Sequence, residues 1–274
     1  MRRWAARALA VLLLAATAAG AVPPPDPLLG RALALVREHP AVWTGAAAIT
    51  RGDRVVVVGG GSALRAELVD LAERARRTVA RVWGTVDAIV LVPSTTARAA
   101  VLAAPADVRG LAALAGDGHV IVEPAGFARL SAAGRRVVLT HELTHVATGA
   151  AVDHDTPRWL VEGFADYVGF RDSGIPVPVA AAELAAEVRA GRLPDALPGP
   201  SDFDLGPRRV RAYQEAWLAC RYVAARFGEN RLVDLYRYMR LRPRDADAVL
   251  RQVLGMGSAE FTAAWREYLR RELT

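Results

Sequence analysis

His141-Glu142-Leu143-Thr144-His145 sets two histidines four residues apart, with a glutamate directly after the first. On an α-helix each residue rises ~1.5 Å and turns ~100°, so positions i and i+4 stand one above the other on one face. Both imidazoles can then aim at a single ion, while Glu142 falls to the side, where it can act as a base towards water. The flanks predict a helix over 131–148. Ser131 suits the N-cap, Val137, Val138, Leu139 and Val146 supply apolar turns, and Gly149 marks the stop.

Two histidines make half of a zinc site, and the position of the remaining ligand separates the possibilities. A metzincin pattern would need glycine at position 148 and histidine at 151, but the chain has Thr148 and Ala151. The next segment runs Thr156-Pro157-Arg158-Trp159-Leu160-Val161-Glu162-Gly163-Phe164-Ala165-Asp166-Tyr167. Thr156 as N-cap and Pro157 at the first position predict a second helix. Glu162 and Asp166 share one face of it. Glu162 would complete a His, His, Glu set that leaves a fourth position open, as in catalytic zinc sites. Asp166, one turn on, is placed to accept the free ring N–H of a ligand histidine. Asp153, His154 and Asp155 are competing ligands in the polar connection between the helices.

HELTHVATG followed by PRWLVEGFADYV resembles the gluzincin zinc metallopeptidases, and most closely their small bacterial peptidase MA-like domains. Glu162, Gly163, Ala165 and Asp166 match the second motif of that group position by position. The specific part of the resemblance is 141–167. It extends more weakly over Leu111–Pro124, Tyr213–Gly228 and the Glu260-Phe261, Trp265, Tyr268 tail. The resemblance implies an α+β, thermolysin-like minimal catalytic domain: a small mixed sheet with an edge strand over the zinc helix, then a mainly helical C-terminal part. It implies Zn2+ as cofactor, His141, His145 and Glu162 as ligands, and Glu142 as general base. It makes Tyr213 the leading candidate for stabilising the oxyanion, ahead of Tyr167 and Tyr222. It also implies that His119, Val120, Ile121 and Val122 form the sheet edge along which a peptide substrate pairs.

Outside the motifs the chain reads in α+β order. A helix is expected over Leu28–Glu38. Ala46–Thr50 and Arg54–Val58 flank an Arg51-Gly52-Asp53 turn and read as a hairpin. Gly59-Gly60-Gly61 lacks the G-x-G-x-x-G spacing of a dinucleotide loop, so it reads as a strand-to-helix turn ahead of a helix over Ser62–Trp83. Ala88–Val92 is a buried-type strand. After Arg171 the chain is rich in proline and glycine around a helix over Ala180–Ala190, a region suited to a lid or cleft wall. Helices over Arg208–Phe227, Asn230–Arg240 and Ser258–Arg271 complete it. The expected division is a leader over 1–21, an N-terminal segment over 22–45 and a catalytic domain over 46–274. Within that domain, 46–130 is the α/β part, 131–171 carries the site helices and 172–274 is loop-rich, then helical.

The leader is expected from a basic start (Arg2, Arg3, Arg7), an apolar run over Ala8–Ala18 and Ala19-Gly20-Ala21, which predicts a mature start at Val22. The apolar run is shorter than the ~20 residues of a membrane span, so no stable membrane insertion is expected after cleavage. The lone Cys220 lies in an apolar stretch and reads as core. All 35 basic residues are arginine; the three in the leader leave 32 against 29 acidic groups, a net +3. No arginine block with interleaved aromatics appears, so nucleic acid is not an expected partner. The residual charge is compatible with association with anionic cell-wall polymers. The expectation is a secreted, zinc-dependent metallopeptidase acting on peptides or proteins. Its rival is an exported zinc- or peptide-binding domain with little turnover.

Overall fold

Unbroken apolar runs at Val55–Val58 and Ala88–Val92, buried on both faces, organise the molecule. The computed structural model describes residues 26–43, 47–242 and 245–274; the leader, the start at Val22 and Ala46 lie outside them. The elements run α1 (Pro27–Glu38), β1 (Ile49–Arg51), β2 (Val55–Gly59), α2 (Ser62–Val82), β3 (Ala88–Val92) and α3 (Thr96–Ala103), then β4 (Ala113–Gly116), β5 (His119–Val122), α4 (Pro124–Ala128) and α5 (Ala132–Thr148). There follow α6 (Arg158–Phe170), α7 (Val177–Ala180), α8 (Ala182–Arg189), α9 (Arg209–Phe227), α10 (Glu229–Leu241), α11 (Ala246–Leu254) and α12 (Ser258–Leu273). The strands form one mixed sheet in the order β1-β2-β3-β5-β4. The β2/β3 and β3/β5 pairs are parallel, and the β1/β2 and β4/β5 pairs at the margins are antiparallel.

Alternation assigns the two faces. Val55, Val57, Ala88, Val90, Val92, Val120 and Val122 face a large core that also holds α2, α5 and the C-terminal helices. Val56, Val58, Ile89, Leu91 and Ile121 face a smaller cluster built with α1 and α3. Strands covered on both faces read as unbroken apolar runs, which is why Ala88-Ile89-Val90-Leu91-Val92 is wholly buried. The glycine turn after β2 has a steric cause: Gly59 has φ +83°, and a Cβ there would lie 2.3 Å from the Val92 carbonyl oxygen.

Two sequence expectations are corrected here. The strand His119–Val122 is not the sheet edge. β3 pairs with it on one side and β4 on the other, so its backbone groups are taken. The edge is β4, joined to β5 by the two-residue turn Asp117-Gly118, with Gly118 at φ +71°. Thr156 is not a helix cap: its hydroxyl and N–H both go to the Asp153 carboxylate, at 2.7 and 3.1 Å, and α6 starts at Arg158 with Pro157 at the cap position. The helix expected over Ala180–Ala190 is present as α8, Ala182–Arg189, preceded by the four-residue α7.

Past β5 the chain turns at once into helix, and Glu123 makes the turn. Its buried carboxylate accepts from the Thr96 hydroxyl at 2.6 Å and from the backbone N–H groups of Ala125 and Gly126. Burial pushes its pKa up, but these donors outweigh it and leave it below the ordinary 4.5. A depressed carboxylate pKa contributes stability that is present above the unfolded value and lost as pH falls through the folded one. Glu123→Gln is therefore expected to cost about 1–2 kcal/mol at neutral pH. The gap to wild type should shrink when urea denaturation is repeated below pH 4.5. A gap that stays constant with pH would remove the carboxylate from this account.

The C-terminal helices are packed against α5 through α6. Gly163 of α6 sits on α9, where a Cβ would lie 2.3 Å from the Ala216 carbonyl oxygen and 2.9 Å from Cys220 Sγ. Gly169 brings the same helix close to Val137 and His141 of α5. Trp83 ties α2 into this assembly: its indole N–H donates to the Ala147 carbonyl at 3.0 Å, and its ring stands edge-on to Phe164 and Tyr236.

Candidate metal centre

The helix that carries the histidines is closed at both ends by local chemistry. Ser131 accepts from the Gly134 N–H at 3.2 Å, and Gly149 ends the helix in the left-handed region at φ +70°. Three threonines buried along it return their hydroxyls to the helix itself. Thr140, Thr144 and Thr148 donate back to the carbonyls of Arg136, Thr140 and Thr144, at 2.7, 2.8 and 3.0 Å. One face of α5 is thus sealed in the core, and the imidazoles emerge on another.

His141 Nε2 and His145 Nε2 lie 2.9 Å apart, and each is 3.4 Å from Glu162 Oε2. These three are the group among the described residues whose donor atoms converge as metal ligands would. Asp153 is occupied elsewhere, by Thr156 and by Arg240 at 3.3 Å. The donor set fits zinc. Tetrahedral sites with N and O ligands at ~2.0–2.1 Å need ligand atoms roughly 3.3 Å apart. His141 Nδ1 lies 2.8 Å from Asp166 Oδ1, a contact that commits the Nδ1 proton and turns the Nε2 lone pair to the centre. Loss of that contact by Asp166→Asn is expected to weaken zinc binding roughly 10–100-fold in a chelator competition, since a supporting carboxylate orients the ligand ring. An unchanged affinity would leave Asp166 with no part in holding metal.

Electrostatics follow the same grouping. Burial disfavours a charged His141, but the carboxylates of Asp166, Glu162 and Glu142 outweigh it and hold its pKa well above the ordinary imidazole range. Burial acts against ionised Glu162 too, and hydrogen bonding to both histidines outweighs it, so its carboxyl is held far below the ordinary range. Glu142 differs: burial raises its pKa, and the histidine charges only partly offset that. The Ala115 N–H of the edge strand is directed at the Glu142 carboxylate.

Two cavities meet at this point. One, of about 430 Å³, is lined by His141, Glu142, His145 and Glu162 and by Ala113, Leu114 and Ala115 of β4. The other, of about 450 Å³, shares His141, Glu142 and Tyr213 but continues between Val138, Phe170 and Trp217. Tyr213, on the first turns of α9, lies beside the site, its ring 6.4 Å from that of His141. Burial and the Glu162 and Asp166 charges push its phenol pKa up, so it keeps its proton. Neither cavity is lined by residues 119–122. His119 Nδ1 lies 3.0 Å from the Asp117 carbonyl at the hairpin turn. Sequence reasoning passed over β4, and the turn dipeptide Asp117-Gly118 was the signal that could have found it. It also passed over Arg209, which lines both cavities.

No family model matches the chain, and no curated protein matches it in sequence. Among solved structures, a mutant of the M1 zinc metallopeptidase from Deinococcus radiodurans is 17% identical, with a TM-score of 0.46, over 83% of this chain and 52% of its own. A mutant of a two-domain M1 zinc metallopeptidase bound to L-arginine is 14% identical, with a TM-score of 0.47, over 82% and 51%. The chain spans about half the length of these structures.

Proposed function

We propose that the protein is an exported, zinc-dependent metallopeptidase that hydrolyses peptide bonds in extended substrates. The observation that carries this reading is the triangle of His141, His145 and Glu162 with Glu142 beside it and an unpaired strand edge within reach. His141, His145 and Glu162 would hold the zinc, which when bound would supply a Lewis acid and lower the pKa of water. Glu142, kept out of the ligand set and raised in pKa by burial, accepts the proton of the attacking water and delivers it to the leaving amine. The backbone groups on the outer side of β4, apart from the Ala115 N–H directed at Glu142, hold the peptide in extended form by adding it as a strand. Tyr213 donates its retained proton in a hydrogen bond to the carbonyl oxygen as negative charge develops there. Export is proposed on the leader-like sequence of residues 1–21.

The test is metal content followed by cleavage. Purified protein is expected to carry one zinc per chain. Glu162→Ala should lose affinity by more than the roughly 10–100-fold expected of a supporting residue. A folded wild type that takes up no zinc when supplied would sink the reading. Full zinc in both proteins would move the third ligand elsewhere. Zinc without cleavage of any member of a broad peptide library would leave an exported binding domain.

A further inference from the structure

Three arginines, Arg109, Arg158 and Arg209, line the cleft, and two of them are paired, as are Arg208 and Arg211 beside Arg209 in the chain. Arg109 pairs with Asp107 at 2.7 Å, Arg158 with Asp204 at 3.1 Å, Arg208 with Glu215 at 2.8 Å and Arg211 with Glu187 at 3.5 Å. Arg209 has no hydrogen-bond or ion-pair partner for its guanidinium among the described residues; its neighbours are the Tyr213 ring, 6.0 Å from Cζ, and the Gly110 turn ahead of the edge strand. It lines both cavities where they meet, beside His141 and Glu142. A half-buried guanidinium whose neighbouring acid, Asp107, is already bound by Arg109 keeps its fork open for bidentate contact and is suited to receive a carboxylate.

We propose that Arg209 receives a carboxylate of the substrate, while the cavity between Val138, Phe170 and Trp217 takes a neighbouring large apolar side chain. The inference rests on the peptidase reading and narrows its substrate class. Distance limits where that carboxylate can be. Cζ is 6.0 Å from the Tyr213 ring centre, and that ring is 6.4 Å from the His141 ring, so the guanidinium is no more than about 12 Å from His141. An extended peptide advances ~3.3 Å per residue, which puts the carboxylate within about four residues of the scissile bond. Two groups can supply it at that distance: the C-terminus of a short-tailed peptide, or an Asp or Glu side chain.

Three matched fluorogenic peptides with leucine and phenylalanine around the scissile bond separate these sources. One carries a free C-terminus, one a C-terminal amide, and one an amide with glutamate two residues beyond the bond. Zinc-loaded wild type is expected to favour one of the acidic peptides over the neutral amide by about 10- to 100-fold, mainly through KM. Preference for the free acid assigns the C-terminus, and preference for the glutamate peptide assigns the side chain. Arg209→Gln should bring the favoured peptide down to the level of the neutral one, and Arg209→Lys should restore part of the difference. Equal cleavage of all three by wild type overturns the assignment of Arg209 and leaves the peptidase reading intact. Calorimetric binding of the same peptides to the Glu142→Gln protein gives a readout without turnover. A preference for the acidic peptide there, with no cleavage by wild type, would retain the carboxylate site and remove the peptidase.

Discussion

Glu142→Gln is expected to retain one zinc per chain and to lose roughly 10²- to 10⁴-fold in kcat/KM on any peptide the wild type cleaves. The substitution keeps the shape of the side chain. Its amide oxygen can still accept from the Ala115 N–H, so the edge strand should keep its place. What the amide lacks is basicity, and no other carboxylate stands ready to replace it. Glu162 belongs to the ligand triangle and Asp166 is engaged with His141 Nδ1. Metal analysis and steady-state kinetics on the same preparation check the two halves separately. Activity within tenfold of wild type would mean that the proton goes elsewhere, whereas lost zinc would make Glu142 a structural part of the site.

The second large effect lies outside the cleft. Gly163→Ala should destabilise the fold by about 1–3 kcal/mol or more, lowering Tm by roughly 2–12 °C. The atoms a Cβ would meet are the backbone carbonyl of Ala216, at 2.3 Å, and the carbon behind it, at 2.6 Å. Backbone cannot swing aside as a flexible side chain can, so α6 must move off α9. Glu162 is the preceding residue, so the same displacement should also weaken metal binding. Gly30→Ala serves as the control. It lies inside α1 with nothing within 4 Å of the added atom, and should raise stability by roughly 0.5–1 kcal/mol. Equal effects at the two positions would show that the α6–α9 contact is not as tight as its geometry.

What could be read from the chain beforehand was whatever a short window decides. Ser131 and Gly149 bound α5 because caps act over one helical turn, and the five-residue run of β3 needs no partner to be recognised as buried on both faces. The Glu162 and Asp166 pair follows from helical spacing alone. Edge position was not legible, because it depends on the order in which strands assemble. β4, with Ala113-Leu114-Ala115-Gly116, carries no β-branched residue, while β5 has Val120-Ile121-Val122. The stronger strand former was assigned the edge, and tertiary pairing puts it inside. Thr156 was misread because a competing acceptor, Asp153, lies just three residues before it. Arg209 could not be told from Arg208 or Arg211. The difference lies in which carboxylates the rest of the fold brings near.

An open strand edge is also a hazard, since unpaired N–H and C=O groups invite another copy of the chain to join on and propagate an aggregate. β4 limits that risk by its size and setting. It is four residues long, and the cavity along it is bounded on the far side by Arg209 and Tyr213 of α9. A single extended strand fits such a slot, but the edge of a folded sheet brings its neighbours and covering helices with it. The protein can therefore keep one edge open to a substrate strand without offering it to its own kind.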